Sequence, residues 1–211
     1  MKQKFIFLPL IIFSLFFMSC VDYIQSISYK GGKYHLYYKV TFSKILMELA
    51  EEDVDDFMKD FNEEFVEPMP DFFSANPVNT ELEVGVEFSF DIDPKNATDE
   101  EKDVLPKKAG NKYLIPFSFS NELSQADDFD SLDAESESIA MAMLSTAKFR
   151  ILIAKNIIPT IETAYFKGTG KKDFSIPFFD FGDSYCLEIP YIVFFERTMY
   201  NFNEIVIIPH G

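Results

Sequence analysis

The chain has 211 residues, with 35 acidic against 19 basic side chains and a formal charge of −16. That charge is repelled by nucleic acid and by anionic headgroups, which argues against a DNA or RNA role. With 25 Phe, no Trp and only 8 Gly, the composition is that of a packed core of large side chains rather than a disordered coat.

Met1–Cys20 comes first in chain order and is the most informative segment. Lys2 and Lys4 form a short basic start, an apolar run spans Phe5–Phe17 with only Pro9 and Ser14 breaking it, and Phe17-Met18-Ser19-Cys20 follows. The run matches the apolar stretch of a signal peptide and falls short of the roughly 20 residues a spanning helix needs. A small residue directly before a cysteine resembles the lipobox of bacterial lipoproteins, with Phe17 where Leu usually stands. The resemblance implies cleavage after Ser19, acylation of Cys20 and a mature domain of residues 20–211. Cleavage removes two lysines and no acids, so the charge moves from −16 to −18.

Asp22–Tyr29 and Lys33–Thr41 alternate apolar and polar residues around Gly31-Gly32, which predicts a β-hairpin with a tight turn. Ser43–Phe61 reads as one amphipathic helix, with Leu46, Ala50, Val54, Phe57 and Phe61 on one face and seven acids opposite. Asp71–Thr80 reads as loop. Glu81–Asp93 reads as a strand whose buried face carries Leu82, Val84, Val86, Phe88, Phe90 and Ile92. Pro94–Gly110 is a charged loop with a helical turn near Thr98–Val104. Lys112–Ser120 is a strand in which Pro116 suggests an edge or bulge. Asn121–Glu137 reads as a polar surface segment and Asp133–Ala147 as a second helix. Strands are predicted at Phe149–Ala154, Thr160–Phe166, Asp173–Phe179, Tyr185–Phe194 and Glu204–Ile208, with turns at Gly168–Gly170 and Phe181–Asp183. These elements predict an α+β fold: a mainly antiparallel β-sheet with two amphipathic helices packed on it.

The Cys20–Leu46 stretch combines a lipobox cysteine, an immediate strand, a glycine turn, a second strand and a Ser-led helix. It resembles the mycobacterial LppM-type lipoprotein domain over the first quarter of the chain. That resemblance implies an α+β domain of the kind likened to lipid-binding folds.

Motifs for chemistry are sparse. Gly168-Thr169-Gly170-Lys171-Lys172 lacks the first glycine of a phosphate loop, since Tyr165 stands there, and Lys172 replaces its Ser or Thr. Asp91-Ile92-Asp93 and Asp128–Asp133 lack the spacing of a calcium loop, because Lys95 and Leu132 fall at ligand positions. Cys186 has no cysteine partner once Cys20 is acylated, and His35 and His210 offer no supporting pattern for a catalytic thiol. Cys20 is therefore the single candidate site residue, as a lipidation site; no catalytic residue, metal ligand or cofactor is expected. The expectation is a membrane-anchored protein of the bacterial envelope, periplasmic or surface-facing, binding a protein partner or an apolar ligand rather than acting as an enzyme. An acid-based envelope hydrolase and a structural or surface-antigen role are the alternatives.

Overall fold

The computed structural model describes residues 21–49, 53–66, 74–117, 147–170, 172–195 and 200–210. Twelve strands run through them: β1 (Val21–Lys30), β2 (Lys33–Ser43), β3 (Ser74–Asn79), β4 (Glu83–Ile92), β5 (Lys107–Ala109), β6 (Lys112–Pro116), β7 (Lys148–Ala154), β8 (Thr163–Gly168), β9 (Phe174–Ser175), β10 (Phe178–Asp180), β11 (Ser184–Pro190) and β12 (Tyr200–Ile208). Three helices, α1 (Lys44–Leu49), α2 (Val54–Phe61) and α3 (Asp99–Asp103), join them. The α+β class holds, but the strands form two sheets rather than one. The larger has the order β10-β11-β7-β1-β2-β4-β3 and the smaller β5-β6-β12-β8-β9.

The β1–β2 hairpin forms as its alternation dictates. Val21 pairs with Phe42 and Lys30 with Lys33, and Gly31 and Gly32 take φ of 62° and 85° at the turn. On the other side β1 pairs with β7 in parallel, Tyr23 against Phe149 and Ile27 against Ile153. Every other pairing in both sheets is antiparallel.

Both sheets turn their apolar residues to one core. Tyr23, Ile27, Phe149, Ile151, Ile153, Leu187 and Ile189 come from the larger sheet, and Ile115, Ala164, Phe166, Ile205 and Ile207 from the smaller. Aromatic rings fill the centre. Phe149 lies 4.9 Å from Tyr23 and 4.9 Å from Phe194, Phe117 stacks on Phe194 at 5.3 Å, and Phe166 meets Phe202 edge-on at 5.0 Å. Such edge and offset contacts add to the area that the rings bury. Gln25, Thr41 and Ser43 are the buried polar residues, and the Gln25 amide donates to the Tyr38 hydroxyl at 3.2 Å.

One flank is closed by a strand that changes sheets. Phe174–Ser175 pairs with β8 in the smaller sheet, and after Ile176-Pro177 the chain pairs with β11 in the larger. The single strand predicted at Asp173–Phe179 is thus bent in two, because Pro177 has no N–H to continue a ladder. The other flank is covered by the 93–106 segment. Thr98 and Glu101 form a capping box at the start of α3, with Glu101 N–H donating to Thr98 Oγ1 at 3.2 Å and Thr98 N–H to Glu101 Oε2 at 2.6 Å. The segment then lays Leu105 against Leu36, Phe90 and Ile92.

Four further expectations are corrected. The helix predicted over Ser43–Phe61 is two, because Asp53 is extended (φ −77°, ψ 129°) and accepts from the Asp55 and Asp56 amides, which makes it the N-cap of α2. Phe57 and Phe61 of α2 pack on Phe42, at 5.0 and 6.1 Å between ring centres. Asp71–Thr80 is not all loop: Ser74–Asn79 is a polar edge strand in which Pro77 opposes Val86. The strand predicted over Tyr185–Phe194 stops at Pro190, and Tyr191–Phe195 continues as a 3₁₀ turn. Leu82, assigned to the buried face, stands outside β4 and is 56% exposed. Pro116 ends β6 opposite Glu204, where β5 reaches no further than Leu114 and the ladder is open on one side. The helix predicted at Asp133–Ala147 lies outside the described residues except for Ala147, which is buried.

Candidate functional site

Two parts of the larger sheet bear on function: the end where β1 begins, and the face turned away from the core. Cys20 itself lies outside the described residues, but Val21, to which it is bonded, is already the first residue of β1 and pairs with Phe42. β1 is a central strand of the larger sheet, flanked by β2 and β7. The strand ends gathered there are Ser43 of β2, Glu83 of β4, Lys148 of β7 and Pro190 of β11.

The outer face is an array of cross-strand polar pairs. Arg150 reaches Asp22 at 2.8 Å on one side and Glu188 at 3.6 Å on the other, and Lys148 meets Glu188 at 2.7 Å. Lys39 meets Glu83 at 2.9 Å, and the Tyr37 hydroxyl donates to Glu87 at 2.8 Å. Burial and the neighbouring Glu87 carboxylate push the Tyr37 phenol up to about 12. Burial raises the Tyr38 phenol on the opposite face as well. At the far end, Lys155 meets Asp180 at 2.7 Å, which holds the ammonium above and the carboxyl below their ordinary ranges.

His35 and Asp91 form the pair that the sequence alone does not reveal. The alternation of β2 and β4 places each on a wet face, but only the strand register sets them opposite each other. His35 Nδ1 lies 2.5 Å from Asp91 Oδ1, and Nε2 lies 3.2 Å from the Lys30 carbonyl oxygen. Ser28 stands opposite His35 on β1. The second ring nitrogen is turned to a backbone carbonyl instead, so the row does not assemble the hydroxyl–imidazole contact that nucleophilic catalysis requires.

The remaining sequence candidates have structural roles. Cys186 is buried on β11, three strands from His35, and burial together with Glu188 raises its thiol. That is the opposite of an activated cysteine. Asp93 accepts from the Lys95 amide at 3.0 Å and from Asn96 at 2.8 Å, while Asp91 is paired with His35, so the 91–95 segment is a turn. Gly168–Gly170 joins β8 to β9 rather than a strand to a helix, and Asp173 accepts from the Gly168 amide at 3.0 Å. Asp128–Asp133 lies outside the described residues. Among the described residues, no three His, Cys, Asp or Glu converge as metal ligands, and no helix is long and apolar enough to cross a membrane. Comparison with protein-family models, curated proteins and solved structures finds no match to this chain.

Proposed function

We propose that the chain is a bacterial envelope lipoprotein, acylated on Cys20, whose α+β domain acts as a non-enzymatic binding module for a protein partner or an apolar ligand. The observation that carries the reading is the start of β1 at Val21, directly after the lipobox-like cysteine. An anchor placed there needs no stalk. Two or three acyl chains, each buried CH₂ contributing about 0.8 kcal/mol, hold a domain stably where one chain does not. The resemblance of Cys20–Leu46 to the LppM-type domain supports the apolar-ligand part of the proposal.

The non-enzymatic part of the reading is supported by the outer face. Asp22, Glu83, Glu87, Asp91 and Glu188 are each engaged by a neighbouring cation, imidazole or phenol, which leaves them structural rather than poised for acid–base work. Ring-to-ring packing around Phe149 and Phe194 supports a partner bound on the outside of the domain rather than a ligand held at its centre. The fold part of the proposal keeps two amphipathic helices on the sheet; the contacts of Phe57 and Phe61 with Phe42 support the first.

Metabolic labelling with an alkyne palmitate tests the anchor. The wild-type chain is expected to take up label and partition into the membrane fraction, and Cys20→Ala to lose both. Label that survives Cys20→Ala refutes the assignment.

A further inference from the structure

We infer that the β3–β4 turn, Thr80-Glu81-Leu82, is a second membrane contact, with Leu82 entering the interface of the bilayer that receives the acyl chains of Cys20. The inference rests on the anchoring reading above and specifies which part of the domain meets lipid.

The strand register supplies the geometry. Val21 pairs with Phe42, and Phe42 with Val84. Val84 is thus two strand spacings from Val21 at the same level, roughly 10 Å across the sheet. Leu82 lies in the turn just before β4, on the side of Val84 toward the end at which β1 begins. Leu82 is therefore at the same end of the sheet as the start of β1, to which Cys20 is bonded.

Two features make Leu82 unlike an ordinary loop leucine. It is 56% exposed; the other large apolar side chains exposed among the described residues, Phe179 and Phe181, belong to the strand and turn that lead into Ser184, at the opposite end of the sheet. Its backbone is also fixed from both sides. Thr80 Oγ1 accepts from the amides of Leu82 at 3.3 Å and Glu83 at 3.0 Å, Thr80 N–H donates to the Glu83 carbonyl at 2.9 Å, and Lys44 N–H donates to the Leu82 carbonyl at 2.9 Å. Lys44 Nζ further holds Asn79 Oδ1 at 2.6 Å. A stiff turn that presents one aliphatic side chain loses little conformational freedom when that side chain enters lipid. Of the neighbouring acids, Asp22, Glu83 and Glu188 are paired with Arg150, Lys39 and Lys148, while Glu81 of the turn is exposed and keeps its charge beside Leu82.

The absence of Trp from the sequence gives a background-free test. Leu82→Trp and, at the other end of the sheet, Lys33→Trp are prepared as mature acylated protein and reconstituted in phosphatidylcholine vesicles with and without brominated acyl chains. Indole favours the membrane interface, so the Lys33→Trp variant controls for attraction by the probe itself. The expected result is a blue-shifted emission and a large loss of intensity on brominated lipid for Leu82→Trp, with water-like, unquenched emission for Lys33→Trp. Water-like emission from Leu82→Trp in protein whose mass confirms the acyl chains overturns the contact and leaves the anchor intact. A mass without acyl chains on Cys20 overturns the anchoring reading and this inference with it.

Discussion

On one face of the larger sheet, Tyr23, Phe149 and Ile189 stand in a row across three adjacent strands. One residue away on the same strands, Asp22, Arg150 and Glu188 make a second set that faces water, with Glu188 directly opposite Arg150 and Asp22 reaching Arg150 diagonally. The first row is held by volume and the second by charge. Rings at 4.9 Å leave no slack on the inner face, while the outer pairs are partly solvated and each contributes little alone. Their joint effect is on register: a slip of one residue would place Arg150 in the core and Phe149 in water. The polar face therefore specifies the pairing that the apolar face stabilises, including the parallel β1–β7 contact that no hairpin enforces.

The largest way to break this contrast is Phe149→Ala. It empties a fully buried site lined by Tyr23, Phe117, Tyr191 and Phe194. A loss of about 3–5 kcal/mol is expected from buried Phe truncations, read from the urea midpoint of the mature domain. A loss below about 1 kcal/mol, the range of an exposed position, would show that the rings do not pack as a unit. A smaller but sharper break is Gly85→Ala, on the outer phase of β4. A Cβ there would collide with the Val40 carbonyl oxygen and come within 2.8 Å of Thr41 Cα, both backbone atoms of β2 that cannot turn aside. Overpacking of this kind costs about 1–3 kcal/mol, and faster amide exchange confined to β2 and β4 would locate the strain. An unchanged midpoint would mean that the β2–β4 ladder spreads freely.

What the sequence made legible follows the same division. Strands with one wet and one dry face, β1, β2 and β4, announce themselves by alternation, and α3 is the helical turn expected near Thr98–Val104. Ser74–Asn79 does not: it is an edge strand with a proline and two asparagines, held by pairing with β4 rather than by its own propensity. The break at Asp53 was hidden because its flanking acids fit a wet helix face as well as a cap. The turn of the chain at Pro177 from one sheet to the other depends on both partner strands, which a local pattern cannot name. The same holds for function. Cys20 is legible as a motif, whereas the alternation assigns Leu82 to the core, and only the register against β1 and β2 brings it to the end at which β1 begins.

The smallest expected effect concerns Tyr37, which joins the two kinds of chemistry by carrying a ring on the polar face. Its phenol is raised to about 12 in the folded protein by burial and by Glu87, against an ordinary value near 10. A group whose folded pKa is raised contributes stability that is fully present below its unfolded pKa and is lost as pH climbs through its folded pKa. Tyr37 thus makes the fold alkali-sensitive between about pH 10 and about 12. Tyr37→Phe removes the hydrogen bond to Glu87, costing about 0.5–1.5 kcal/mol at neutral pH, and also removes this share of the alkaline loss. The wild-type and variant urea midpoints should therefore converge as pH rises through that window. Midpoints that stay a constant distance apart would show that the Tyr37 proton is not shared with Glu87. The outer face would then be held by the Arg150 and Lys39 pairs without it.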